Sequence, residues 1–360
     1  MTLFLYVARR TLAAFLGALA GVVAIFLAVD FVDNAAGFTG EGWVLGVLEL
    51  YANKTAVVVR QVAPAAMILG AAISVSSFRR TREWTAMRSV GLGPWRVALP
   101  VAAVALLAGG ALLVAHDLVG VEAADRAEEI QALRFGRGSD KRRYEAAREP
   151  KRWFRGQDGK HVYHLRGALP GGGFERVTVL EIGAGFTLAR RIDAARMLPD
   201  GRAWRLEDVE DRTFLEGGEV RLERAPERRY EFSEPPEAFS VVPGRPSQMR
   251  WATLIRQLDL RQRLGLPVAD FRLERYDRLA YPLTGLPGAL LALALALRRN
   301  RKGHISASLV ESVGVTLLFW GAQGVTFALG LSGRVEPWVA AWAPNVVFLA
   351  LGLLAVRRSG

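Results

Sequence analysis

Residues 97–118 read V-A-L-P-V-A-A-V-A-L-L-A-G-G-A-L-L-V-A-H-D-L, and residues 119–134 read V-G-V-E-A-A-D-R-A-E-E-I-Q-A-L-R. At a rise of about 1.5 Å per residue, the first run forms a helix about 33 Å long, enough to cross a hydrocarbon core of about 30 Å. The second run carries Glu122, Asp125, Arg126, Glu128 and Glu129. Those charges cannot remain in lipid, where only apolar helices and closed barrels satisfy every backbone group at low cost. The chain therefore leaves the membrane near residue 119.

Working outward, membrane-length apolar runs cover residues 11–29 and 56–78 before this point, with Pro64 tolerated as a kink, and residues 279–297, 307–331 and 338–356 after it. Arg9 and Arg10 precede the first run, which is longer than a signal-peptide core and lacks a small-residue cleavage site, so it reads as a retained helix. The expected organisation is three crossings within residues 1–118, a water-exposed domain over residues 119–275 and three further crossings within residues 276–360. In a chain of 360 residues with 51% hydrophobic content, this block-wise distribution indicates an integral membrane protein. The absence of cysteine excludes disulfides and thiolate metal sites. The net charge of +12 is concentrated in short clusters beside apolar runs, a membrane-orientation pattern and not a nucleic-acid surface.

Those clusters set the expected orientation. Arg79, Arg80, Arg82, Arg88 and Arg96 lie between the second and third crossings, against Glu83 alone, and Arg298, Arg299, Arg301 and Lys302 lie between the fourth and fifth. The connection between the first and second carries Asp30, Asp33, Glu41 and Glu49, with Lys54 as its base. The positive-inside rule then places both termini in the cytoplasm and residues 119–275 outside it. Within this insert, short alternating runs separated by turn signals predict an all-β sandwich or jelly roll with helical flanks at 121–134 and 246–264. The predicted strands are 152–155, 160–165, 176–182, 187–195, 203–209, 212–215, 219–224 and 229–232. Asp158-Gly159, Asp200-Gly201 and Gly217-Gly218 are the predicted hairpin turns.

Little in the chain is arranged for catalysis. His116, His161, His164 and His304 are too scattered for a metal site, and neither a nucleotide-binding glycine loop nor a nucleophile elbow occurs. His116, Asp117 and Glu311 are the candidates if the protein were a lipid-modifying enzyme. No cofactor is expected, and any energy input must come from a partner.

Residues 82–94 read R-E-W-T-A-M-R-S-V-G-L-G-P, a short helix stopped by glycine and proline, with Trp84, Met87 and Val90 spaced for one apolar stripe. A helix lying flat at the membrane surface accounts for its arginines. A coupling helix accounts for them too, with Trp84 and Met87 anchored in a groove of a cytoplasmic motor and Glu83 paired with a base there.

Residues 82–91 resemble the E-L-x-A-[LM]-R-x-x-G segment of the LptF/LptG permease family, and P-W-V-A-A-W-A-P-N at residues 337–345 is similar to that family's closing motif. Trp153-Phe154-Arg155, Asp158-Gly159, Val162-Tyr163 and A-W-R-L-E-D-V at residues 203–209 resemble its β-domain, and Phe31-Val32-Asp33 is more like LptG than LptF. The resemblance implies a permease subunit that extracts lipopolysaccharide from the inner membrane of a Gram-negative bacterium. It implies pairing with an LptF-type paralogue, an LptB-type ATPase dimer on the cytoplasmic side, and transfer to LptC/LptA-type periplasmic jelly rolls.

By the same resemblance, Arg82, Glu83, Trp84, Met87, Arg88 and Gly91 form the ATPase-coupling segment, with Glu83 at the family's acidic position. Apolar residues such as Phe15, Phe26, Phe319 and Phe327, chosen by position, line an acyl-chain cavity gated by the first and fifth crossings of opposite partners, or else simply face lipid. Lys54, Arg60, Arg126, Arg275 and Arg278 are candidates for the lipid phosphates, or else snorkel to headgroups or pair with Asp30, Asp33, Glu49 or Asp277. The family pattern is broken where Asp30 stands in place of lysine, where Glu129 follows Arg126, and where Ala35 and Ala36 replace bases. The alternative function is a membrane scaffold or signalling protein whose outer domain binds a partner.

Overall fold

A computed structural model describes residues 2–136, 139–142, 144, 153–156, 158–169, 173–201, 203–215, 218–232, 234, 239, 245–263, 265–298 and 305–359. Arg152, Gly217, Arg299, Arg301, Lys302 and His304, named above, lie outside the described residues. The helices are α1 (Thr2–Asn34), α2 (Trp43–Arg80), α3 (Glu83–Ser89), α4 (Trp95–Ala115), α5 (Val121–Leu133), α6 (Trp251–Arg263), α7 (Ala269–Ala280), α8 (Gly285–Arg298), α9 (Ile305–Leu331) and α10 (Pro337–Arg357). Among the described residues, six helical stretches are long and apolar enough to cross a membrane: Thr2–Gly37, Trp43–Arg80, Trp95–Leu133, Ala269–Arg298, Ser308–Leu331 and Pro337–Arg357. The expected fold class holds, with an all-β domain inserted between the third and fourth.

The chain divides into two compact units. One comprises Met1–Lys141, Arg245–Ile255 and Pro267–Gly360, and the other Arg142–Gly244 and Arg256–Leu266. In the helical unit, lipid is as apolar as the side chains, so cohesion comes from close packing and not from burial out of water. Small residues make that approach possible. A Cβ on Gly70 of α2 would stand 2.6 Å from the Phe15 Cα of α1, and one on Gly109 of α4 would stand 2.8 Å from the Pro282 carbonyl oxygen. Ala66, Met67, Val75 and Phe78 of α2, Val97 and Val101 of α4 and Leu293 of α8 complete one apolar core. Pro64 sits inside α2 as expected.

The predicted fourth crossing begins later than the helix it belongs to. The charged stretch Asp270–Arg278 is helical, and α7 is followed by the 3₁₀ turn Tyr281–Thr284 before α8 starts. Pro282, which lacks an amide hydrogen, falls in that turn, where no donor is needed.

The inserted unit contains β1 (Trp153–Arg155), β2 (His161–His164), β3 (Gly167–Leu169), β4 (Gly173–Ile182), β5 (Leu188–Asp200), β6 (Ala203–Phe214) and β7 (Val220–Tyr230). They form one antiparallel, unclosed sheet of order β1-β2-β4-β5-β6-β7, with β3 also paired to β4, consistent with a jelly-roll-like domain. Tyr163, Val177, Val179, Ile192, Met197, Trp204, Leu206 and Val209 build the core on one face. The predicted strands 203–209 and 212–215 are a single strand. The intervening Glu210-Asp211 is not a turn, because Asp211 faces inward, 3% exposed, and receives two hydrogen bonds from Arg190 at 2.8 and 2.5 Å. The predicted strands 219–224 and 229–232 likewise join as β7, with Pro226 accommodated in an edge strand, as its missing donor requires.

Candidate functional site

The segment between the second and third crossings is built as a short helix with defined ends. Arg82 adopts the left-handed conformation at φ 61° and turns the chain out of α2. At the other end Gly91 has φ 77°, its N–H donates to the Arg88 carbonyl at 3.0 Å, and the Leu92 N–H donates to the Met87 carbonyl at 3.0 Å. This glycine-terminated cap satisfies carbonyls the helix end would otherwise leave unpaired, and a side chain at Gly91 would be strained.

Trp84 and Met87, expected to anchor a partner, face the chain's own bundle at 6% and 9% exposure, in the core that holds Val7, Phe78 and Val97. Val90 does not share their stripe. The helix ends at Ser89, and Val90 is 73% exposed. The outward surface is therefore Arg82, Thr85, Ala86, Arg88, Ser89 and Val90.

Glu83 lies on the first turn of α3, where a negative charge suits the helix dipole. Its Oε2 accepts a hydrogen bond from the Tyr6 hydroxyl at 2.7 Å, and its Oε1 accepts one from Thr81 at 2.8 Å. The Arg10 guanidinium stands 3.7 Å away. Partial burial pushes the carboxyl upward, but the two hydrogen bonds and the Arg10 charge outweigh it and hold Glu83 below its ordinary carboxylate value. Tyr6 and Arg10 escape a reading of the sequence because they lie more than seventy positions from Glu83, beyond any helical or strand periodicity.

The five predicted phosphate-binding bases are not equivalent. Lys54 pairs with Asp30 at 2.6 Å. Arg126 bridges Glu49 at 2.9 Å and Glu129 at 2.8 Å. Arg60 stands 4.0 Å from Glu274 and lies over the Tyr281 ring. Arg278 is 3% exposed, pairs with Glu274 at 3.3 Å and donates to the Met249 carbonyl at 2.7 Å and the Pro246 carbonyl at 3.2 Å. It holds the returning segment against α7. Arg275 is exposed, lies over the Tyr276 ring, and has no carboxylate within ion-pair distance among the described residues.

Of the apolar candidates, Phe26 is 43% exposed, while Phe15 and Phe319 are 6% and 2% exposed. Phe15 packs at Gly70, Phe319 against Phe348 at 4.9 Å, and Phe327 beside Leu273 and Ala340. His116 is buried, and Asp117 accepts the Trp251 N–H at 2.6 Å and lies 3.8 Å from Arg278. Asp117 therefore holds the same returning segment. Among the described residues no group of three or more histidine, cysteine or acidic side chains is placed to hold a metal.

The family model described as lipopolysaccharide export system permease LptF/LptG matches residues 5–358. No curated protein matches the chain.

Proposed function

Because the chain belongs to the LptF/LptG permease family, we propose that it is the LptG-like permease subunit of an ABC-type exporter that extracts lipopolysaccharide from the inner membrane. The supporting observation is a family match over nearly the whole chain, joined to a six-helix bundle interrupted by a single unclosed β-domain. In this reading both termini and α3 are cytoplasmic, and residues 119–275 are periplasmic. An LptF-type permease completes the membrane cavity, an LptB-type ATPase dimer docks at α3, and LptC/LptA-type jelly rolls receive the lipid. The chain itself is a transport subunit, with ATP hydrolysed in the ATPase chains.

Mechanically, closure of the ATPase dimer displaces α3. Trp84 and Met87 seat α3 in the core shared with Val7, Phe78 and Val97, so the bundle follows. Narrowing the cavity then raises the lipid toward the β-domain. Removing acyl chains from the bilayer costs about 0.8 kcal/mol per CH₂, so one twelve-carbon chain costs roughly 9 kcal/mol and a sheltered path is required. Phe26 offers apolar contact, and Arg275 is the base nearest the role of a phosphate ligand, Lys54, Arg60 and Arg126 each facing a carboxylate and Arg278 being committed to the fold.

Co-purification from native membranes tests this assignment. An ATP-binding subunit and a second six-helix permease should travel with the chain. A lone homodimer without a nucleotide-binding partner would overturn it.

A further inference from the structure

The N-terminal end of α1 meets α3 at one polar node. Arg10 lies over the rings of Tyr6 and Phe78, with 5.3 and 5.8 Å from its guanidinium carbon to the centroids, and it donates to the Ser77 hydroxyl at 3.3 Å. Tyr6 adds the 2.7 Å hydrogen bond to Glu83. Val7 of α1 is fully buried in the core that holds Trp84 and Met87, but the apolar stretch of α1 beyond this end is lightly held, with 11% of it buried. Its contacts with α2 in this half include the Gly70–Phe15 approach and the 3.2 Å Thr11–Ser74 hydrogen bond. Beyond them, Gly17 and Gly21 face open space.

Apolar contacts between α3 and the bundle resist compression, but they yield to sliding and separation. A hydrogen bond to a charged carboxylate is directional and about twice as strong as a neutral one, so it also resists pulling. We infer that Tyr6 is a positioning residue for transport: through its hydroxyl on Glu83 it makes α1 follow α3 when the ATPase moves. A carboxylate has about four acceptor sites, so Glu83 can hold Tyr6 and Thr81 while also meeting a cation on the motor. This inference rests on the transport reading above and names a link within it that connects the docking segment to a gate helix.

The test uses the complete complex, purified with its partner permease and ATPase and reconstituted into vesicles containing lipopolysaccharide. Three quantities are read: ATPase bound, ATP hydrolysed, and lipid released to a periplasmic acceptor. In Tyr6→Phe the ring contacts with Arg10 and Phe78 remain and one hydroxyl is lost. ATPase binding and hydrolysis should stay within about twofold of wild type, while lipid released per ATP falls about tenfold.

Thr81→Val removes the other hydrogen bond to Glu83 without touching α1, and its lipid-to-ATP ratio should match wild type. An unchanged ratio in Tyr6→Phe, an equal loss in Thr81→Val, or loss of the ATPase itself in Tyr6→Phe would each overturn the link. Adding Glu83→Gln to Tyr6→Phe should lower the ratio no further than the worse single variant, and additive losses would also count against it. Failure of the transport reading looks different, because the wild-type complex would then release no lipid on ATP addition.

Discussion

The Lys54 ammonium stands 2.6 Å from the Asp30 carboxylate, which also accepts the Tyr51 hydroxyl at 2.8 Å, so the far end of α1 is tied to α2 by a half-shielded ion pair. The two side chains are 18% and 21% exposed. Lys54 is thus neutralised within the chain, whereas Arg275 is exposed with no such counter-ion among the described residues.

Binding of a phosphorylated lipid by the purified chain should therefore depend unequally on these two bases. Arg275→Ala is expected to weaken it about fivefold to tenfold, the worth of one charge-assisted contact. Lys54→Ala should change it less than about twofold, and Asp30→Asn, by freeing the ammonium, should strengthen it. Titration at low and high salt measures this. Equal losses for Lys54→Ala and Arg275→Ala would show that the Asp30 pair opens on binding.

Substitutions on the two faces of α3 should separate folding from docking. Trp84→Ala opens space in the bundle core and is expected to cost about 3 kcal/mol, read as a lower melting temperature of the chain alone in detergent. Val90→Glu, on a side chain 73% exposed, should leave that melting temperature in place and reduce recovery of the ATPase on purification. If Trp84→Ala removes the ATPase while the chain melts normally, the tryptophan reaches the partner after all.

What the sequence made legible follows from the range of each signal. Apolar runs report burial in lipid residue by residue, so the crossings were readable, and the stop at Ser89-Val90-Gly91 follows from glycine's access to positive φ. Which way Trp84 points was not readable, because a three-residue stripe looks the same whether it packs on its own bundle or on a partner. The break expected between strands 203–209 and 212–215 failed for the opposite reason. A charged pair reads as a turn until the cross-strand Arg190 that neutralises it is known, and the register that brings them together is set by long-range pairing. The Tyr6–Glu83 contact and the Arg278 contacts with the returning segment are likewise products of packing between elements distant in the chain.

The approach of α1 to α2 gives a steric test. Gly70→Ala places a methyl group where Phe15 backbone atoms already stand at 2.6 and 2.7 Å, so the helices must part. Overpacking of this kind costs about 1–3 kcal/mol. Gly110→Ala, on α4 with nothing within 4 Å, serves as the comparison and should be neutral or slightly stabilising. Thermal unfolding of both variants in the same detergent decides it, and equal melting temperatures would mean that α1 is free to shift at no cost.

The inward-facing Asp211 gives the β-domain a stability window set by two titrations of opposite sign. Burial pushes its carboxyl upward, but hydrogen bonds from Arg190 and Tyr230 and the charges of Arg190 and Arg228 prevail, holding it below the ordinary value of about 3.9. A carboxyl depressed in the folded state contributes stability above its unfolded value, and that contribution is lost as pH falls through the folded one. Tyr230 is pushed up to about 12, first by burial, then by its hydrogen bond to Asp211 and that residue's charge. Its contribution is complete below the unfolded value of about 10 and is lost as pH rises through about 12. Local opening of β5 and β6, followed by hydrogen exchange corrected for intrinsic rates, should therefore be insensitive to these two groups near neutrality and should increase at both extremes. Asp211→Asn removes the charge but keeps a side chain of similar size. Because Arg190 is 33% exposed, the loss should be about 2 kcal/mol, short of the ~3–5 kcal/mol of a fully buried pair. The variant should also lose most of the acid limb and show a smaller alkaline limb that ends below about 12, since the tyrosine no longer faces a negative charge and only burial holds it up. An unaltered alkaline limb in Asp211→Asn would mean that burial alone, without the carboxylate, holds the Tyr230 proton.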